Sequence, residues 1–304
     1  MDRLAGQRGA CGADATLRVA RAALHEWEEP GIAVGPGSGA VFFSFCPLRC
    51  LYCQNAEIAQ GAHGTDISVE RLARIFCELR GQGAANVNLV TPTHYWPHIA
   101  AARESLPAGF DLPFVCNTSG YERAEVIRAF ADCVDVYLTD FKYASSPDSD
   151  AAGRYSHAED YFEVACAALD AMLECAGEPC WGDWRPPAPG ASDVQRLECA
   201  PERRLERGVV VRHLLLPGRL EDSKRVMAHL RARYGNAVLY SVMDQYTPMH
   251  AFSQAPELGQ RTEREDYERL LDFLDGLGMQ DYFWQEGGAA EGSFIPPFDN
   301  TGVE

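Results

Sequence analysis

Short runs of Val, Leu, Phe and Ala recur along this chain at residues 40–45, 86–90, 113–116, 134–138, 209–214 and 237–242. They are mostly continuous rather than alternating, which is how parallel strands covered on both faces read. Amphipathic stretches separate them. In residues 68–79, Val69, Leu72, Ile75, Phe76 and Leu79 fall on one helical face, with Ser68 placed to cap the first turn. Residues 122–130, 159–173, 223–234 and 263–277 follow the same spacing. About six strand–helix units predict an α/β fold with right-handed crossovers and a parallel sheet. Eight would close a full barrel. Six predict a partial (β/α)6 barrel of the TIM type or an open doubly wound sheet, and periodicity alone does not separate the two.

The pattern breaks in three places. Residues 1–34 form an N-terminal extension. Residues 177–207 (GEPCWGDWRPPAPGASDVQRLECAPERRLER) carry Pro, Gly and charge without a period, and predict an irregular insertion with a mobile Pro-rich centre inside a barrel of residues 35–284. Residues 285–304 are a Gly- and Pro-rich tail.

The 304 residues suit one large α/β domain with appendages. A formal charge of −17 argues against nucleic acid or an anionic membrane as partner. No apolar run approaches the roughly 18 residues of a membrane span, and the N-terminal stretch lacks the apolar core of a secretory signal. Both point to the cytoplasm. Eleven cysteines are an odd number in a chain that is neither short nor visibly secreted, so a disulfide framework is not expected.

Three of them carry the chemistry. Cys46, Cys50 and Cys53 stand in a C-x3-C-x2-C arrangement directly after the first predicted strand, at the end where parallel β/α folds place their sites. Structural zinc normally takes four ligands, and no second C-x2-C or spaced His pair completes such a set. Three thiolates suit a [4Fe–4S] cluster with one iron left for an outside ligand. Cys77, Cys116, Cys133 and Cys166 sit singly in apolar stretches and read as core. Cys175, Cys180 and Cys199 bracket the insertion, where an auxiliary site is the alternative.

The cysteine motif, with Tyr52 before its last Cys, resembles the signature of the radical S-adenosylmethionine superfamily. The stretches SGAVFFSFCPLRCLYCQN, NVNLVTPTHYWP, NTSGYE, DVYLTDFKY, VRHLLLPG and SVMDQYTP are similar, in order, to one branch of it, the proteins like pyruvate formate-lyase activating enzyme. The resemblance implies that Cys46, Cys50 and Cys53 hold the cluster and that Tyr52 lies against the adenine of S-adenosylmethionine. It implies reductive cleavage to a 5′-deoxyadenosyl radical that abstracts hydrogen from a protein glycine. A glycyl-radical enzyme would then be the partner, and flavodoxin or ferredoxin the electron donor. Thr91-Pro92-Thr93-His94 stands where the superfamily commonly has Gly-Gly-Glu, and Thr91 is the candidate there. Asn117 and Thr118 are candidates for the nucleoside or methionyl moiety, with a helix cap as the competing reading. Asp140 and Lys142 match the branch's Asp-x-Lys; two apart on a strand, they point to one face. Arg212 is placed to meet the methionine carboxylate or an acidic partner, and Gln245 and Tyr246 are weaker candidates. Two other functions stay open: radical chemistry on a small molecule or another side chain, and a non-catalytic iron–sulfur or zinc protein.

Overall fold

A computed structural model describes the chain except for residues 1, 4, 62, 147–148, 185–201, 250–251 and 285–294. Seven strands run parallel in the order β10 (Tyr282–Trp284), β9 (Leu239–Met243), β8 (Glu202–Leu214), β6 (Val136–Asp140), β5 (Phe114–Thr118), β4 (Val87–Val90) and β2 (Ser38–Phe43). Antiparallel β1 (Arg18–His25) and the two-residue β3 (Thr65–Asp66) extend the β2 edge. The result is a partial barrel of parallel strands, one of the two architectures that the apolar runs predict. All six predicted strands are present.

Helices cover one face of this sheet. α1 (Ala56–Ala59) is a single turn, and α2 (Val69–Gly81) starts where Ser68 accepts a hydrogen bond from the Arg71 amide at 3.2 Å. α3 (Trp96–Glu104), α4 (Ala124–Ala129), α5 (Ala151–Ser156), α6 (Tyr161–Ala176), α7 (Leu220–Tyr234) and α8 (Arg264–Gly276) follow. Their buried side chains form one cluster with Val41, Leu89, Cys116, Tyr137, Val211 and Val242 of the strands. No described helix is long and apolar enough to cross a membrane.

The other, inward face would expose Val115, Val136, Leu138 and Val210 if nothing filled it. The loop between β1 and β2 does so. Its Ile32, fully buried, packs on those four side chains and on Leu205, while Val34 packs with Ala85 and Trp184. Full burial of one such aliphatic side chain contributes about 2 kcal/mol. Part of the expected N-terminal extension therefore lies in the sheet as β1, and part plugs the barrel.

The described flanks of the insertion are ordered. β7 (Cys180–Trp184) pairs antiparallel with the first half of β8. The Pro-rich centre, expected to be mobile, lies outside the described residues, as does Cys199. The end of the tail also docks: the Ala22 amide donates to the Thr301 carbonyl at 2.8 Å, and Phe298 meets Phe42 edge-on.

β7 holds the plug down through its tryptophans. Gly35, at φ +57°, lies so close under Trp184 that a Cβ there would fall 1.7 Å from the indole. Gly35→Ala combines a left-handed backbone penalty with overpacking and is expected to cost about 2–4 kcal/mol. The urea midpoint should fall accordingly; an unchanged midpoint would show that the plug is not seated by this contact.

Candidate functional site

The carboxyl ends of β5, β6, β8 and β9 and the start of the plug enclose a cavity of about 500 Å³. Cys50, Tyr52 and Cys53 line it, together with Asn117, Asp140, Lys142 and Arg212. Seven of the ten sequence-predicted site residues thus stand around the cavity. Cys46, Thr91 and Thr118 are not among the described residues that line it.

Backbone geometry at the strand ends sets the loops. Phe45, directly before Cys46, and Thr91, directly after β4, both take positive φ (73° and 57°). A β-branched residue is rarely found there, and such strain clusters where a loop must be re-aimed. The Thr91 amide donates to the Asn117 carbonyl at 2.8 Å, locking that turn to β5. After β5, Gly120 lies so near β6 that a Cβ would come within 2.1 Å of the Asp140 carbonyl oxygen. Asn117 and Thr118 do not cap α4, whose N-cap is Arg123.

The three thiols sit on a loop bound firmly from behind. The Leu51 amide donates to the Tyr155 carbonyl at 2.8 Å, and the Cys53 amide to the Cys50 carbonyl at 3.2 Å. The Ser156 hydroxyl donates to Cys50 Sγ at 3.0 Å, and hydroxyl contacts continue from Ser156 to Tyr143 (2.6 Å) and from Tyr143 to Tyr52 (2.8 Å). Burial raises the thiol of Cys53 to about 12, and that of Cys46 also rises, with the neighbouring thiols adding to each. The three remain free cysteines. Among the described residues no three His, Cys, Asp or Glu side chains are gathered as the ligands of one ion.

Opposite lies a buried charge network. Arg212 donates from Nε to Asp140 (2.8 Å) and from Nη2 to Asn117 Oδ1 (2.7 Å). Its Nη1 stands 3.6 Å from Glu28, and its Nε 3.9 Å from Glu29. Lys142 donates to the other Asp140 oxygen at 2.6 Å. Burial alone would raise Asp140, but Arg212 and Lys142 hold it below its ordinary value. Burial raises Glu28 and brings Glu29 to about 7 despite Arg212. Asn88 donates to Glu28 at 2.9 Å. Arg212 therefore has acidic partners within the chain itself.

Glu28, Glu29 and Asn88 were not among the predicted residues. The only sequence signal was the acidic run in His25-Glu26-Trp27-Glu28-Glu29, which reads as a solvated loop until β1 and the plug are placed. His213, beside Arg212, turns to the helical face, where Nδ1 meets the Phe141 carbonyl at 2.7 Å. His94 Nε2 lies 2.8 Å from the Ser44 carbonyl, and burial lowers its pKa to about 4. Tyr246 is buried and donates to the Leu258 carbonyl, while Gln245 lines the cavity. Cys175 is half-buried and Cys180 exposed.

No protein-family profile matches the chain. MJ0674 of Methanocaldococcus jannaschii, itself uncharacterised, is 24% identical over 253 residues, covering 80% of this chain and 63% of its own length. Among solved structures, Streptococcus suis SuiB bound to precursor peptide SuiA superposes with a TM-score of 0.49 at 10% identity, covering 80% of this chain and 47% of that one. SuiB bound to S-adenosylmethionine gives 0.47 at 11%, covering 80% and 48%. The FeFe-hydrogenase maturase HydG from Carboxydothermus hydrogenoformans gives 0.43 at 12%, covering 84% and 60%. The chain thus spans less than two thirds of each of these proteins.

Glu122, behind the cysteine loop, is 5% exposed, and its Oε2 has no hydrogen-bond partner. Burial raises its pKa from 4.5 to about 7. The folded state therefore keeps a proton that the unfolded state has released, and stability falls as pH rises from about 4.5 through about 7. Glu122→Gln removes that titration. Its stability relative to the parent should grow across the window, toward an order of 3 kcal/mol above pH 7. Urea midpoints at pH 5 and pH 8 read the difference; an equal offset at both would refute it.

Proposed function

We propose that this protein is a radical S-adenosylmethionine enzyme that holds a [4Fe–4S] cluster on Cys46, Cys50 and Cys53. The observation that supports this most is that one cavity is lined both by soft thiol donors, Cys50 and Cys53, and by largely buried Asp140, Lys142, Arg212 and Asn117. The donor set fits the group. Three free thiols lie within eight residues of one loop, with a hydroxyl donating to one sulfur and no fourth cysteine in that loop. When bound, the cluster supplies the electron that cleaves S-adenosylmethionine to methionine and a 5′-deoxyadenosyl radical.

The chain's own residues then have definite work. Asp140 holds both Lys142 and Arg212 in place and Asn117 holds Arg212, so the two cations stand fixed and already answered at the cavity wall. Asp140 and Asn117 offer acceptors for ammonium or ribose hydroxyls. Tyr52, held by Tyr143 and 7% exposed, supplies an aromatic wall. The plug closes the floor and keeps water out of a site where a carbon radical must survive.

The finer reading is hydrogen abstraction from a protein glycine, as in pyruvate formate-lyase activating enzyme. It is supported by the ordered motifs from the cysteine loop to residue 248. The partners would be a glycyl-radical enzyme and a flavodoxin or ferredoxin.

Anaerobically reconstituted protein with dithionite and S-adenosylmethionine should release 5′-deoxyadenosine, and each of Cys46→Ala, Cys50→Ala and Cys53→Ala should abolish it. Release by a cysteine variant equal to the parent's would remove that residue from the ligand set; none from the parent would end the radical reading. Ser156→Ala should leave iron content unchanged and make the cluster potential more negative, because a hydrogen bond to a ligand sulfur stabilises the reduced state. Potentiometric titration followed by electron paramagnetic resonance reads this, and an unmoved potential would show that the Ser156 contact does not reach the cluster.

A further inference from the structure

The cavity is short of positive charge. Among the described residues, four carboxyl groups line it (Glu26, Glu28, Glu29 and Asp140) against the two cations Lys142 and Arg212. Asp140 engages both of them at hydrogen-bond distance. Glu29 lies beside Glu28 and 3.9 Å from Arg212, and its Oε2 has no hydrogen-bond partner among the described residues although the residue is only 8% exposed. A buried acceptor in that state costs about 1–3 kcal/mol until a donor reaches it.

The mouth of the same cavity points to the kind of donor. Trp27 and Trp284 are 56% and 51% exposed, and with Met249 they are the large hydrophobic side chains left exposed among the described residues. Both line the cavity, and exposed Glu26 stands next to Trp27 in the chain. An indole face beside a carboxylate favours a cation carried on an apolar stem. An anion would have to displace Asp140 or Glu28 from Arg212, and a neutral apolar group would leave Glu29 unanswered. The formal charge of −17 draws cationic partners from a distance.

We propose that the cavity admits a lysine or arginine side chain of a polypeptide substrate, its stem against Trp27 and Trp284 and its cation toward Glu29. This rests on the radical reading only in taking the cavity as the place where substrate meets the reactive centre. The polypeptide source follows from the half-exposed tryptophans, which leave room outside the cavity for a backbone. At neutral pH Glu29 is poised between its two forms, and an arriving cation favours the carboxylate.

The test is calorimetric titration of full-length, reconstituted protein with acetyl-Gly-Lys-Gly-amide, its arginine, norleucine and glutamate counterparts, and n-pentylamine, with and without saturating S-adenosylmethionine. The lysine or arginine peptide should bind at least tenfold tighter than the norleucine peptide and weaken as salt rises, and the glutamate peptide should not bind. Trp27→Ala, at the exposed rim, and Glu29→Gln should each weaken the lysine peptide at least tenfold with the melting temperature of Trp27→Ala unchanged. Equal binding of the norleucine peptide would overturn the proposal. So would loss of lysine-peptide binding when S-adenosylmethionine is added, which would assign the charge deficit to that molecule's own cation. Pentylamine binding as tightly as the peptide would overturn the polypeptide source. Release of 5′-deoxyadenosine by the same preparation is scored separately: release without lysine discrimination sinks the cation subsite alone, and discrimination without release sinks the radical reading alone.

Discussion

A guanidinium taken out of water is tolerated only when its donors and its charge are both answered. Arg212 is the point where this chain meets that requirement, and much of the site follows from how it does so. Its partners come from β5 (Asn117), β6 (Asp140) and the plug (Glu28, Glu29). Strand order places β6 directly beside β8, with Asp140 paired in register to Arg212, so that one contact is dictated by the sheet. The contacts to Glu28 and Glu29 exist only because the β1–β2 loop turns back into the barrel. The charge at the top of the inward face and the apolar fill at its bottom are therefore two consequences of one loop path.

That path also divides labour within the barrel. Ile32 and Val34 supply a dry floor; the residues just before them supply carboxylates; Trp27 remains at the mouth. The sequence of the loop, polar and aromatic first and apolar later, is a map of depth. Gly35 and Trp184 show why the insertion matters to this arrangement, since β7 lays an indole across the plug from outside.

The six central strands were legible because both of their faces are covered, which turns each into an unbroken apolar run. β1 (RVARAALH) interleaves charge with Ala and Val, and β3, at two residues, is too short to carry a period. The first half of β8 (ERRLERG) buries only Leu205 among its apolar positions, so it read as charged insertion. At the site, Asp140 and Lys142 were legible through strand alternation, and the cysteines through spacing. Glu28, Glu29 and Asn88 were not, because burying a carboxylate beside an arginine 184 positions away leaves no local mark. Thr91 stands where the resemblance puts the Gly-Gly-Glu turn, and its turn spends its amide on β5; neither Thr91 nor Thr118 is among the described residues lining the cavity.

The two walls of the cavity differ in how firmly they are held, and this bears on what each can specify. The cysteine loop is tied to α5 through Leu51 and through the hydroxyl contacts from Cys50 to Tyr52. Such backing fixes the loop that carries the thiols against whatever approaches it. The mouth is different. Trp27 and Trp284 lie on a loop and an edge strand, half exposed, with acidic side chains beside and beneath them. The thiol loop and the tryptophan-lined mouth are thus physically separate parts of the fold, one backed by hydrogen bonds and the other half exposed.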